Sequence, residues 1–536
     1  MGFLYLGLFL ISIIGQQKGA ECYKILFIPA GNLSQFIEMS GLGRALIQRG
    51  HEVHVLFSKE ETLPDRARGI GYKVLNHKGP FSMPNAVEQD LIFAFGTAPW
   101  KALLQGKNPL KGGRELFTNN CRGIAEDEEL KEKLRAEKYD FAVVNYLYGC
   151  GYLIVKYLQI NYASTLTMFD VMAPRWSIIP SIHRGSLELL PRLIGLRVGT
   201  EYRFIDRLVR FFVAYISSYM MGFVQNMVSE LESEFNTTQS PSEIASNSGL
   251  FLLNYESLLT GDPLPEQGNL LVLGGLGTEP AQPIKNGMIK SFADNATKGL
   301  IVFTMGSFIS ALPEDRVLKI FTAMEHLKQR LIMRLHPDIT SKVKSIRAIP
   351  ENVMLMDWLP QNDLLGHKNT VLFIGHCGNN GRIEALYHGV PMLAMPVVGD
   401  QWANAQLNVQ NGYGLLLKHY EFSADDFKNT VLELIHNETY RKTAKRAAAI
   451  FHSRRPPAER AADAIEHAIE FGTDHLRPHG AYSLSFWQIY MVDIFFFFYT
   501  FVLLSIVGCF CCCKCTVRKL KKRILKEQLD AKAKKD

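Results

Sequence analysis

The chain has 536 residues, of which 47% are hydrophobic and 21% charged. That balance excludes a disordered chain, a collagen-like fibre and a small disulfide scaffold, and the length accommodates roughly two to four domains. The formal net charge is +7, yet residues 514–536 alone hold ten Lys/Arg and three Asp/Glu, leaving 49 of each sign in the rest of the chain. A basic nucleic-acid-binding body is thereby disfavoured, and the excess reads as a membrane-topology signal.

Phe3 to Ile14 is an apolar run followed by the small residues Gly19 and Ala20. This predicts a secretory signal peptide over residues 1–20. No Lys or Arg precedes the run, and Lys18 stands near the cleavage point, so an uncleaved anchor or a first buried strand is the alternative. Lys24 to Ala30 then reads as a strand, Phe36 to Arg49 as a helix with Leu42, Leu46 and Ile47 on one face, and His51 to Phe57 as a second strand, with Gly50 as the cap between them. A β-α-β start of this kind implies a parallel, doubly wound sheet. A further strand is expected over Asp140–Val144. Arg203 to Phe223 is apolar with a few basic residues, and fits a membrane-facing helix pair, a pocket wall or a core helix equally well.

The Gly- and Pro-rich stretch from Thr260 to Gln282 reads as a linker, which divides a first α/β domain over 21–259 from a second over 286–455, with 260–285 between. Strands are expected at Leu300–Met305, Arg330–Leu335, Val353–Met356, Val371–Ile374 and Pro391–Met395. Pro313-Glu314-Asp315 opens a helix, and Ser423-x-x-Asp426 has the form of a capping box. The helix Pro457–Phe471, within 456–486, is expected to return to the first domain. The fold class is α/β, with two Rossmann-like domains facing a cleft at the carboxyl ends of their strands, plus one C-terminal transmembrane helix.

That helix is Ile494 to Cys513, twenty residues without a charge, long enough for a bilayer core of ~30 Å. Trp487, Tyr490 and Tyr499 suit the interface, and the basic tail over 514–536 belongs in the cytosol by the positive-inside rule. With the signal peptide, this predicts a type I membrane protein whose main body is lumenal or extracellular. Lysines at Lys532 and Lys534, fifth and third from the last residue, resemble a dilysine retrieval signal of the endoplasmic reticulum. Cys509, Cys511, Cys512, Cys513 and Cys515 cluster at the membrane edge, a candidate acylation site. Cys22, Cys121, Cys150 and Cys377 allow three pairings or free thiols. Asn32, Asn236, Asn295 and Asn437 begin glycosylation sequons.

The densest signal is WLPQNDLLGH from Trp358, then FIGHCGNNGRIEALYHGVPM, then PVVGDQWANA. Trp358 offers a flat ring for stacking a base, and Gln361 beside it can bond the base or ribose. His376 ends an apolar run, and Cys377-Gly378-Asn379-Asn380-Gly381 opens a helix whose free N–H groups form an anion site. No His/Asp/Glu set at metal-ligand spacing is present, so neither a metal nor another cofactor is expected. The stretch closely resembles the donor signature of the UDP-glycosyltransferases, especially the animal membrane-bound UDP-glucuronosyltransferase-like group. RGHEV at Arg49–Val53, TMGS at Thr304–Ser307, the C-terminal span and the basic tail agree with it.

The resemblance implies the glycosyltransferase-B architecture, with a UDP-sugar as co-substrate and a small lipophilic acceptor. It implies that His376, Asn380 and Gly381 hold the pyrophosphate with Gly378 in the same turn. Ser307 lies near the phosphates, Arg334 at the next strand end, Glu384 on the ribose hydroxyls, and Asp400 and Gln401 on the sugar. It further implies a His general base in the first β-α loop, an Asp that orients it, and inversion by direct displacement. Those two positions are Gln35 and Asn145 here. A neutral amide cannot take a proton near neutral pH, and a matched Gln–Asn pair is expected to bond internally. Three readings follow: a transferase whose acceptors need little base help, such as amines or acidic hydroxyls; a transferase with Asp400 as base; or a catalytically silent binder of UDP-sugar or lipophile that pairs with itself or with active relatives. Cys377, in place of an expected Gly, and Arg382 are candidates for altering donor choice.

Overall fold

The computed structural model describes residues 22–29, 33–60, 63–64, 67–80, 109–166, 222–260, 266, 268–306, 312–397, 400–477, 485–489 and 491–533. The expected signal peptide, the sequon at Asn32, Ser307, Tyr490 and all but the last two residues of the 203–223 stretch lie outside them. Two units are distinguished, one ending at Arg477 and one over Pro478–Asp536.

The first unit contains two parallel sheets. One is built from β1 (Lys24–Ile28), β2 (Glu52–Ser58), β3 (Lys73–His77), β4 (Phe141–Asn145), β5 (Asn161–Leu166), β6 (Leu250–Leu253) and β7 (Leu270–Val272), in the order β3-β2-β1-β4-β5-β6-β7. The other is built from β8 (Leu300–Thr304), β9 (Arg330–Arg334), β10 (Val353–Met356), β11 (Thr370–Gly375), β12 (Met392–Ala394) and β13 (Gly414–Leu416), in the order β10-β9-β8-β11-β12-β13. Central strands such as LIVFT at β8 and FAVVN at β4 are buried along their whole length, as sheets covered by helices on both faces require. Each sheet reverses its winding once, between β1 and β4 and between β8 and β11, and such switch points leave open crevices at the carboxyl ends.

The expected linker needs correction. Leu270–Val272 pairs with β6 and forms the edge of the first sheet, and Ser257–Thr260 is a short helix. Three apolar residues between Gly- and Pro-rich turns suffice for an edge strand, a signal too short to stand out. The other strand boundaries move by a residue or two at their ends.

The helices that matter here are α1 (Leu33–Gln48), α2 (Pro109–Ala125), α3 (Gly149–Leu158), α4 (Ser257–Thr260), α5 (Gln361–Leu365), α6 (Asn379–Tyr387), α7 (Gln401–Gln410), α8 (Ala424–His436), α9 (Pro457–Phe471) and α10 (Val492–Ala533). The Ser423/Asp426 capping box opens α8. Cys121 on α2 is disulfide-bonded to Cys150 on α3, and Cys22 and Cys377 are free thiols. Helix α9 lays Ala461, Ala462, Ile465 and Ala468 into the same core as Phe36, Met39 and Leu42 of α1. Arg49 clamps it there, bonding Glu459 at 2.5 Å, Asp463 at 3.0 Å and Glu466 at 2.8 Å. The returning segment is described as far as Arg477; residues 478–484 of the expected 456–486 lie outside the described residues.

The second unit contains α10, long and apolar enough over Val492–Leu529 to cross a membrane by length and composition. The helix runs on through the basic tail to Ala533, in keeping with the high helix propensity of Lys, Arg, Leu and Glu.

One buried acid stands out in α1. Glu38 is 1% exposed, and neither carboxylate oxygen has a hydrogen-bond partner. Burial alone pushes its pKa up to about 8. Between about 4.5 and about 8 the unfolded chain has lost this proton while the folded chain keeps it, so stability falls as pH rises through that window. Glu38→Gln should therefore raise the Tm relative to wild type by an amount that grows across the window. Thermal unfolding at several pH values checks this, and a pH-independent difference would contradict it.

Candidate active site

The two crevices meet at a cavity of about 360 Å³. Gln35, Ile37 and Pro64 line it from the first domain; Arg334, Trp358, Gln361, His376, Gly378, Asn380, Gly381, Glu384, Asp400 and Gln401 line it from the second. These are nearly all of the residues singled out from the sequence. Asn145 is 98% buried behind Gln35, at 2% exposure, and Ser307 lies outside the described residues.

His376 follows β11, and Gly306 follows the neighbouring β8, in a register that sets Gly375 opposite Thr304. A Cβ on Gly306 would stand 2.5 Å from Cε1 of His376, and one on Gly378 would stand 2.5 Å from its Nε2. The imidazole therefore fits only because both neighbours are glycine. Burial, then the Arg334 charge, lowers the pKa of His376 to about 4, so at neutral pH the ring is uncharged and offers one N–H donor. Cys377 takes φ 67°, the left-handed region that a glycine occupies without strain. Its thiol is buried against Met392, and burial pushes its pKa up to about 12. It shapes the turn and does not line the cavity.

Gly378 caps α6, whose first-turn amides open towards the cavity. Glu384, one turn on, accepts from Gln361 Nε2 at 2.5 Å, which joins these two lining side chains into one polar edge of the cavity. Arg334 is braced rather than free: Nε donates to the Asp357 carbonyl at 3.0 Å, Nη1 donates to the Gly306 carbonyl, and the guanidinium lies 4.9 Å from the Trp358 ring centre. One face of the indole is thus occupied by a cation. Asp400 accepts from Asn404 Nδ2 at 2.8 Å, and burial raises its pKa. Gln401 Oε1 accepts from Val397 N at 2.8 Å. Arg382 does not line the cavity. It is 2% exposed and donates to the Leu259 carbonyl at 3.1 Å.

At the first crevice, Gln35 sits in the first turn of α1 and Asn145 ends β4. Asn145 Nδ2 donates to Gln35 Oε1 at 2.6 Å, and the Leu147 N–H donates to Asn145 Oδ1 at 3.0 Å.

Asn254 was not singled out from the sequence. It accepts from Gly275 N at 2.8 Å and donates to Asn380 Oδ1 at 3.1 Å, while its carbonyl accepts from Asn379 at 2.8 Å. A polar residue just past the buried strand LFLL, at a carboxyl end, was the available signal. Asn404, which bonds Asp400 and the Cys377 carbonyl, was legible only as a helical i+4 neighbour. Among the described residues, Glu52, His54 and Glu137 form the one cluster dense enough to suggest a metal. Lys73 and Lys24 already pair with its carboxylates, and it lies at the amino ends of the strands, away from the cavity.

The family model for UDP-glucoronosyl and UDP-glucosyl transferase matches residues 23–527. The chain belongs to this family. Human UDP-glucuronosyltransferase 1A9 is 27% identical over 93% of each chain. UDP-glucuronosyltransferase 2A3 of Cavia porcellus is 28% identical over 94% of this chain and 96% of its own length. Among solved structures, the spinosyn forosaminyltransferase SpnP covers 84% of the chain at a TM-score of 0.54 and 17% identity, and the calicheamicin glycosyltransferase CalG4 gives the same coverage and score at 16%. These two likenesses establish the glycosyltransferase-B fold. Family membership makes the chain a UDP-sugar-dependent glycosyltransferase.

Gly306→Ala tests the glycine cradle. The added Cβ displaces the His376 ring, and UDP affinity should fall at least ~10-fold, about 1.4 kcal/mol. Calorimetry with UDP checks this, and unchanged affinity would remove His376 from the donor site.

Proposed function

We propose that this glycosyltransferase moves a hexose or glucuronate from a UDP-sugar to a small lipophilic acceptor, with inversion at the anomeric carbon. The observation that carries the reading is a single cavity lined by Trp358, Gln361, His376, Asn380 and Glu384 on one side and by Gln35 on the other. In this reading the uracil stacks on the face of Trp358 opposite Arg334, and Glu384, with Gln361, takes the ribose. The diphosphate rests against the His376 N–H and the α6 amides, whose dipole stabilises the charge that develops as it leaves. Asp400 and Gln401 contact the sugar. Attack from the Gln35 side is opposite the departing diphosphate, and a one-step displacement in that geometry inverts the centre.

The body belongs in the lumen of the endoplasmic reticulum, glycosylated after removal of the signal peptide, with α10 as anchor and the basic tail in the cytosol. A second reading is a catalytically silent UDP-sugar or lipophile binder, self-paired or paired with relatives. The specific observation in its favour is the internally bonded Gln35–Asn145 pair, which offers no proton acceptor at the position that the family resemblance assigns to the base.

Two measurements separate these readings. Trp358→Ala should weaken UDP binding by about 1–3 kcal/mol; intact affinity in calorimetry would exclude the stacking platform. Gln35→His/Asn145→Asp should raise turnover of hydroxyl acceptors ~10²–10⁴-fold, the usual worth of a general base. If wild type binds UDP and turns over no acceptor while the double variant does, the silent reading is correct.

A further inference from the structure

The direction of the amide pair is fixed by a group that cannot be reversed. The Leu147 N–H can only donate, so the Asn145 atom 3.0 Å from it is the oxygen. The Asn145 amide nitrogen then faces Gln35, and the Gln35 atom 2.6 Å away is its oxygen. The NH₂ group of Gln35 is left as the end of a donor chain that starts at the backbone, on a side chain that lines the cavity. Aligned amides polarise one another and strengthen the terminal donor.

The surroundings favour the same ligand charge. Gln35 lies in the first turn of α1, Asn145 lies just before α3, and neither helix has an acidic residue in its first turn. Strands β1 and β4 are neighbours, with Ile28 opposite Val144, so both helix N-termini open at one crevice and their dipoles add.

We infer that Gln35 is a specificity-determining donor and that this transferase takes a carboxylate as its acceptor. The inference rests on the UDP-sugar reading above. A neutral hydroxyl or amine acceptor must shed a proton as it attacks, and neither amide of the pair takes one up near neutral pH. A carboxylate is ionised at neutral pH and needs no base, and its non-attacking oxygen accepts from Gln35 Nε2. Its other oxygen forms the bond to the anomeric carbon as the bond to the diphosphate oxygen breaks. The electron pair leaves with UDP, no proton is transferred, and the product is a glycosyl ester.

The test uses the full chain in membranes, with UDP-glucuronic acid and UDP-glucose as donors and three acceptors on one aromatic ring system: the carboxylic acid, the phenol and the aniline. UDP release and product mass are measured. The acid should be turned over at least ~10-fold faster than the other two, and its product should be cleaved by hydroxylamine as an ester. Gln35→Met, which keeps the length and removes the donor, should lower kcat/KM for the acid ~10-fold or more. Gln35→His should shift preference towards the phenol. Calorimetry with UDP on the same preparations separates the two levels. If UDP binds and the phenol or aniline is preferred, or no acceptor reacts, the inference is overturned and the donor site stands. If UDP does not bind, both fail.

Discussion

The donor side depends on one imidazole held between two glycines. Gly306 and Gly378 belong to loops far apart in sequence, brought together because β8 and β11 are paired neighbours. A methyl group on either would overlap the His376 ring. The parallel register therefore does more than build a sheet. It fixes where the ring stands, and the ring, with Gly378 as cap, sets the start of α6. The same burial that fixes the ring keeps it uncharged, so it offers the cavity a directional N–H donor rather than a cation. Positive charge is supplied instead by the α6 dipole and by Arg334, which is tied to the Asp357 and Gly306 carbonyls.

A second constraint holds the two domains around the cleft. Asn254 at the end of β6 reaches Asn379 and Asn380 at the start of α6. The Leu258 and Leu259 carbonyls of α4 accept from Tyr413, Asn411 and Arg382 of the second domain. The neutral bonds among these contribute ~0.5–1.5 kcal/mol each, and the one donated by the Arg382 guanidinium ~1.5–3 kcal/mol. Their placement matters more than their sum, because they join the first domain directly to the turn and helix that line the cavity. Arg382 takes this bond from a buried position without a carboxylate partner at bonding distance among the described residues, and burial lowers its pKa. Its role is to tie α6 to α4, which is why it lies away from the cavity despite its place in the first turn.

Much of this was legible in the sequence where a single local pattern carried it. Continuous apolar runs marked the central strands, the Ser423/Asp426 spacing marked a cap, and the dense run from Trp358 to Gln401 marked residues that do share one cavity. What escaped depended on partners distant in the chain. Leu270–Val272 becomes a strand only because β6 offers it an edge. Asn254 is an isolated asparagine until α6 stands opposite it. Cys377 looked like a donor-site change, yet its consequence is a backbone angle that only three dimensions reveal. The choice of Cys121 and Cys150 from four body cysteines likewise follows from α2 and α3 lying side by side.

The Gln35–Asn145 pair shows how chemistry can reverse while packing is kept. An ionisable pair at these positions, as the family resemblance implies, would place a carboxylate behind an imidazole, each supporting the other's charge. Changing only one member leaves a cost. A carboxylate at position 145, with an exposure as low as the 2% of Asn145, would lose its cationic partner, and a buried unpaired charge is strongly destabilising. An imidazole at position 35 facing Asn145 would lose the acceptor that orients it. Changing both to amides removes the charge and keeps two bonds, Leu147 to Asn145 and Asn145 to Gln35, so the crevice retains its shape. Because the backbone N–H at the far end admits one orientation, the proton-accepting end of the pair becomes a donating end. The exchange keeps the packing of the crevice, whereas a ligand at that point meets an amide that donates an N–H and takes up no proton.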